Sequence, residues 1–194
     1  MQLQSARVVA FGLGFGIGLA GDAAHVASGT TGYDWDLPQI WDSAFWFPFA
    51  VGLAVLAAAE AGRRTGQPLR QRDWTHVVAG SAAVLALYGL TAVLRGQPTT
   101  VSVVLCSAVA VLIWALWDPS AKSLVLAVVA AVLGPVAEML VMAAGVAHYA
   151  TDTDGLFGVA PWLPCIYFAA GSVAGGVINA LTREPQPVVV DTAS

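Results

Sequence analysis

Apolar residues form six long runs along this chain, separated by short polar or glycine-rich segments. Each run is close to the ~20 residues that an α-helix needs to cross the hydrocarbon core of a bilayer. The pattern therefore predicts an all-α membrane protein with six transmembrane helices. It places a six-helix transmembrane domain at residues 1–182 and a flexible C-terminal tail at 183–194. The predicted spans are Val8–Ala27, Ser43–Ala61, Trp74–Leu94, Thr99–Trp117, Ala121–Ala147 and Pro161–Leu181.

Composition and charge placement support this prediction and orient the spans. Hydrophobic residues make up 58% of the chain and charged residues 10%, whereas soluble domains carry about 25% charged residues. With six spans, one side holds both termini and every basic residue except Arg95. Cytoplasmic segments are enriched in Lys and Arg, so both termini are predicted to be cytoplasmic. The basic residues on that side are Arg7, Arg63, Arg64, Arg70, Arg72, Lys122 and Arg183.

Small residues at four-residue spacing predict where the helices approach closely. Membrane helices associate through such small-xxx-small pairs because the backbones come into contact there. The first span carries two pairs, Gly12/Gly16 and Gly14/Gly18, and the sixth carries Gly171/Gly175. We expect these pairs to be packing surfaces, with contacts in an oligomer as the alternative for some of them. Pro135 interrupts the fifth span, and a proline inside a helix favours a kink. Such a kink would open a cavity between neighbouring helices.

Three ionisable residues lie within the predicted spans. Asp22 and His25 share a face of the first span, because residues three apart are neighbours on a helix. Glu138 shares a face of the fifth span with Gly134 and Met142. Ionisable groups inside a membrane are costly and often functional. Two interpretations stay open at this point: these residues line a ligand or ion site, or they pair with a neighbouring helix and only stabilise packing.

Five segments make the chain resemble the Insig (insulin-induced gene) proteins, which are six-span regulators of sterol homeostasis. The most specific segment is the last, in which WLPCI leads into two aromatic residues and a glycine-rich helix. The resemblance covers nearly the whole chain. The segments are SAFWFPF at 43–49, RDWTHV at 72–77, WALWDPS at 114–120, GVAHY at 145–149 and PWLPCIYFAAGSVAGG at 161–176.

The resemblance implies a lipid-binding sensor or regulator rather than an enzyme. Insig proteins bind oxysterols between their helices and hold partner proteins that contain sterol-sensing domains. The resemblance therefore implies a sterol-like or diacylglycerol-like neutral lipid at Glu138, Asp22, His25, Gly134 and Met142. It also implies that Asp118 binds a partner protein, where the host has one. A bacterial inner membrane is the expected location, with a possible homo-oligomer and no nucleic-acid partner.

Two other functions are compatible with the residues. Asp22, His25 and Glu138 are also the residue types that a small proton-coupled carrier uses as a relay. A membrane enzyme would need a site such as a metal centre at Asp22, His25, His148, Asp152 and Asp154. The chain has no HExxH or GxSxG motif. We therefore expect no enzymatic activity, no cofactor and no bound metal.

Overall fold

The computed structural model of the chain contains six α-helices and four short strands. It describes residues 1–34, 36, 38–65 and 73–182. The predicted six-helix fold is confirmed. The tail predicted at 183–194, and Arg70, Arg72 and Arg183, lie outside the described residues. The elements are α1 (Leu3–Ala27), β1 (Thr31–Tyr33), β2 (Gln39–Ile40), β3 (Ser43–Ala44), α2 (Trp46–Arg64), α3 (Trp74–Val93), α4 (Thr99–Trp117), α5 (Ala121–Ala143), β4 (Ala147–Tyr149) and α6 (Leu163–Thr182).

Five of the six helices are long and apolar enough to cross a membrane. The exception is α2, which carries Glu60, Arg63 and Arg64 near its C-terminal end. Glu60 Oε1 accepts a hydrogen bond from Arg7 Nε at 2.6 Å, and Glu60 Oε2 accepts one from Arg63 Nη2 at 2.8 Å. These bonds join the start of α1 to the end of α2, so the charges of α2 are paired at one end of the bundle.

The strands were not predicted, and they change the ends of two spans. The second helix begins at Trp46 rather than Ser43, since Ser43–Ala44 forms β3. The fifth helix ends at Ala143 rather than Ala147, and Gly145 adopts a φ of 67° just beyond it. Ala147–Tyr149 instead forms β4, which pairs with β1 in antiparallel register, Thr31 opposite Tyr149. A second short pair, β2 and β3, lies at the same end. We call this the strand-bearing end, and the end with Arg7 and Glu60 the opposite end.

Helix α6 lies at the centre of the bundle and packs against all five other helices. Its small residues allow this, because backbones approach closely only where side chains are short. A Cβ atom on Gly171 would lie 2.7 Å from Ala130 Cβ on α5. On the α2 side, a Cβ atom on Gly62 would lie 2.0 Å from the carbonyl oxygen of Gly175. The Gly171/Gly175 pair therefore packs against two different helices.

The two glycine pairs of α1 have different surroundings. Cβ atoms on Gly14 and Gly18 would each lie 2.7 Å from a valine Cβ on α2, so this pair is a packing surface. Cβ atoms on Gly12 and Gly16 would meet no neighbouring atom within 4 Å, so the expectation of packing within the chain is wrong for this pair. Both pairs have the same spacing but face opposite sides of α1.

Candidate functional site

A cavity of about 560 Å³ lies between α2 and α5, which both pack on α6. Helix α1, Tyr88 of α3 and the paired strands β1 and β4 complete its wall. Towards the opposite end the lining is apolar, with alanines of α2 facing Leu126 of α5. Polar side chains are concentrated at the strand-bearing end. The cavity is therefore amphipathic along its length, like a lipid with one weakly polar end.

All five residues predicted to bind a ligand line this cavity. Asp22 and His25 come from the last turns of α1, and Gly134, Glu138 and Met142 form one face of α5. The spacing of these residues along α1 and along α5 places them on one face of each helix. The fold then brings the two faces together around the cavity. Their role in ligand binding stays a prediction.

Pro135 lies within α5, which continues through it without a break. The kink predicted at Pro135 therefore also stays a prediction.

Glu138 is held by two tyrosines. Tyr149 Oη donates to Glu138 Oε2 and Tyr167 Oη donates to Oε1, both at 2.7 Å. Glu138 is 8% exposed, so both carboxyl oxygens are satisfied away from bulk water. Gly134 makes room for this arrangement, since a Cβ atom there would lie 2.2 Å from the Tyr167 ring. The glycine therefore positions Tyr167 against Glu138.

Asp22 is held in the same way by Tyr33, whose hydroxyl donates to Asp22 Oδ2 at 2.5 Å. Burial, and then the nearby Asp22 carboxyl, raise the pKa of Tyr33. Burial and the Glu138 carboxyl raise the pKa of Tyr149 in β4 as well. Both phenols thus keep their protons and remain hydrogen-bond donors at neutral pH.

His25 forms the boundary of the cavity on the α3 side and is 1% exposed. Its ring stacks on Tyr88 with a centroid distance of 4.5 Å. Its Nε2 atom lies 2.7 Å from Thr91 Oγ1, which donates its own hydrogen to the Tyr88 carbonyl. A hydroxyl has one hydrogen, so Thr91 accepts from His25, and Nε2 carries the proton.

Sequence reasoning missed the hydroxyl groups of this site. The chain has four tyrosines, and all of them line the cavity. The sequence did contain an indication of them. A carboxyl group buried in a membrane needs hydrogen-bond donors, and tyrosine hydroxyl groups are suitable donors. Thr31 of β1 was missed as well. Its Oγ1 atom is buried in the cavity wall and has no hydrogen-bond partner among the described residues.

Asp118, predicted to bind a partner protein, lies elsewhere. It follows the last residue of α4 at the opposite end and is 5% exposed. Its Oδ1 atom accepts the backbone N–H of Ser120 at 3.2 Å, which shapes the turn into α5. It is not among the described residues that line the cavity. Partner binding at Asp118 stays a prediction.

The residues considered for a metal centre are divided between different places. Asp22 and His25 face the cavity, whereas His148 is exposed and its Nδ1 atom lies 2.7 Å from Asp34 Oδ1. Asp152 is bonded to Arg95. In the part of the chain that the structure describes, no three His, Cys, Asp or Glu side chains form a group that could hold a metal ion.

The chain is similar to known proteins over nearly its full length. No protein-family model matches the chain. An INSIG protein homolog from Mycolicibacterium vanbaalenii is 41% identical over 98% of this chain and 95% of its own length. The insulin-induced gene 2 protein of Gallus gallus is 27% identical, over 98% of this chain and 87% of its own length.

Solved structures agree with the sequence relatives. The crystal structure of MvINS, the mycobacterial Insig homolog from Mycobacterium vanbaalenii, is 39% identical and superimposes with a TM-score of 0.88. The match covers 94% of this chain and 97% of MvINS. A cross-linked cysteine variant of MvINS, crystallised as a trimer, matches equally well. This chain is therefore an integral, multi-pass membrane protein that belongs to the Insig family.

Proposed function

We propose that this Insig-family protein is a lipid-binding sensor or regulator. Its ligand is one neutral, weakly polar lipid, sterol-like or diacylglycerol-like, held in the cavity between α2 and α5. The observation that carries the proposal is the amphipathic lining, with Glu138 and Asp22 at one end and apolar side chains along the rest. A volume of about 560 Å³ is in the range of small-molecule sites.

The lining favours a neutral ligand over a charged one. Among the described residues that line the cavity there is no Lys or Arg, so a phosphate group would find no cation. A hydroxyl or ester group, in contrast, matches the oxygen atoms of the polar end. Thr31 Oγ1 is the most direct indication, because a buried hydroxyl without a partner is costly unless a ligand supplies one.

The wider proposals follow from the family. The MvINS trimer supports a homo-oligomer for this chain, and the bacterial relative supports location in the bacterial inner membrane. Sterol-sensing-domain proteins are proposed partners only in a host that contains them, with Asp118 as the proposed contact. One observation favours the alternative function of a small proton-coupled carrier: Asp22, His25 and Glu138 all line one cavity. Each of them is hydrogen-bonded to a hydroxyl group.

Native mass spectrometry of the detergent-purified protein tests the proposal. We expect one neutral lipid per chain, identified by organic extraction as a sterol-like or diacylglycerol-like molecule. Folded protein that purifies without lipid, and takes up neither diacylglycerol nor sterol on addition, would contradict it. Proton-coupled flux in proteoliposomes that disappears in Glu138→Gln would favour the carrier instead.

Thr31→Val should weaken lipid binding without lowering the stability of the lipid-free protein. The substitution removes one hydroxyl that has no partner among the described residues and keeps the shape of the side chain. One hydrogen bond contributes about 0.5–1.5 kcal/mol, which corresponds to a ~2–10-fold rise in Kd for the lipid. Native mass spectrometry measures the Kd, and thermal unfolding in detergent measures the stability.

The matched control is Thr91→Val, which removes a buried hydroxyl that is bonded on both sides. That variant should unfold at a lower temperature because the buried N–H of His25 loses its partner. If Thr31→Val also lowers the unfolding temperature and leaves lipid binding unchanged, Thr31 does not contact the ligand.

A further inference from the structure

A second cavity, a polar crevice of about 340 Å³, lies outside the lipid cavity at the strand-bearing end. Its walls are the connection between α3 and α4, the first turn of α4, and residues around Asp152 and Trp162. A water molecule occupies ~30 Å³ in the liquid, so the crevice has room for a group much larger than one water. The lipid cavity and the crevice are separated by the His25–Thr91 pair.

Ser102 is a buried residue that lines this crevice with a hydroxyl group. It lines the crevice from α4, is 4% exposed, and its hydroxyl has no partner among the described residues. Two other buried serines of the bundle do have a partner: Ser172 donates to the Ala169 carbonyl at 2.8 Å and Ser123 donates to the Ser172 carbonyl at 3.3 Å. The Ser102 hydroxyl therefore has a hydrogen bond to offer to an occupant of the crevice.

The start of α4 adds donors beside Ser102. Its N-cap is Pro98, whose side chain makes no capping hydrogen bond. The first N–H that bonds to the Pro98 carbonyl is that of Val101, so the N–H groups of Thr99 and Thr100 have no capping partner among the described residues. An uncapped helix N-terminus of this kind attracts an anion, because unpaired N–H groups and the helix dipole both carry partial positive charge.

The rim of the crevice carries one charge of each sign. Arg95 Nη1 donates to Asp152 Oδ1 at 2.8 Å, and no other atom of the guanidinium bonds to the described residues. Nε and Nη2 of Arg95 thus remain available to an anionic oxygen. The Asp152 carboxylate would repel a purely anionic ligand but would attract an ammonium group. The charges match a zwitterion better than a simple anion.

We propose that this crevice binds the zwitterionic headgroup of a phosphatidylethanolamine-type phospholipid. The phosphodiester lies against Ser102, Arg95 and the start of α4, and the ammonium lies against Asp152. Leu94, Pro98 and Trp162 supply apolar contacts for the glycerol region, and Trp side chains favour the headgroup level of a membrane. The site differs from the lipid cavity in chemistry, since it offers a cation where the described lining of the cavity offers none. It does not depend on the function proposed for that cavity.

Native mass spectrometry of the delipidated full-length protein tests this site, with dioleoylphosphatidylethanolamine as the probe. We expect one bound lipid and a Kd that rises at least fivefold in Ser102→Ala and in Arg95→Gln. Arg64→Gln is the matched control, because Arg64 lies at the opposite end with 74% of its side chain exposed. Size-exclusion profiles identify any variant that fails to fold. If Arg95→Gln fails to fold, the Kd of Ser102→Ala alone tests whether the crevice binds the lipid.

Three outcomes would overturn the proposal. Phosphatidylethanolamine bound equally by the wild type, Ser102→Ala and Arg95→Gln would remove the crevice as its site. Equal or tighter binding of dioleoylphosphatidylglycerol at this site would overturn the zwitterion assignment. Binding of free O-phosphoethanolamine without binding of the lipid would assign the crevice to a soluble solute.

Discussion

Glu138→Ala is expected to lower lipid occupancy at least tenfold and to destabilise the lipid-free protein. The substitution removes the acceptor of both Tyr149 and Tyr167, which then have buried hydroxyls without partners. Each buried unpaired group costs about 1–3 kcal/mol, so the free energy of unfolding should fall by several kcal/mol. Native mass spectrometry measures lipid occupancy, and thermal unfolding in detergent measures stability.

Two matched variants separate the effect of the Glu138 carboxyl group on lipid binding from its effect on stability. Glu138→Gln keeps one acceptor oxygen and adds an amide donor, so it should retain part of the stability and part of the lipid. Glu60→Gln changes a carboxyl at the opposite end, where Arg7 and Arg63 are its partners. It should leave lipid occupancy unchanged. Wild-type occupancy in Glu138→Ala would exclude Glu138 from the ligand site.

Gly62→Ala is expected to have the largest effect on stability among single methyl additions. The new Cβ would lie 2.0 Å from the Gly175 carbonyl oxygen, and both partners at this crossing are backbone. Helices α2 and α6 must therefore move apart. Overpacking of this kind costs about 1–3 kcal/mol, and we expect the upper end of that range because no side chain can rotate away. Thermal or denaturant unfolding in detergent measures the change.

Gly12→Ala is the control for this prediction. It lies in a helix as well, but a Cβ atom there meets nothing within 4 Å. Alanine in a helix is favoured over glycine by roughly 0.5–1 kcal/mol, so this variant should be neutral or slightly stabilising as a monomer. If Gly62→Ala is as stable as Gly12→Ala, α2 and α6 do not cross as closely as described.

Much of the candidate site was accessible from local patterns. The spacing of Asp22 and His25, and of Gly134, Glu138 and Met142, predicted which residues share a helix face. Helix geometry is local, so such groupings follow from sequence distance alone. The glycine pairs show the limit of the same reasoning. Gly12/Gly16 and Gly14/Gly18 are indistinguishable by spacing, and only the position of α2 makes one pair a packing surface.

What the sequence by itself determined was the number of helices, their apolar character and the presence of ionisable residues within them. These follow from run length and hydrophobicity, because every backbone polar group in a bilayer must be satisfied within its own segment. Only the tertiary structure decided the partners of those ionisable residues. Glu138 meets Tyr167, 29 positions along the chain, and His25 meets Thr91, 66 positions away. Contacts between helices depend on their rotation and crossing in three dimensions, which no local pattern encodes.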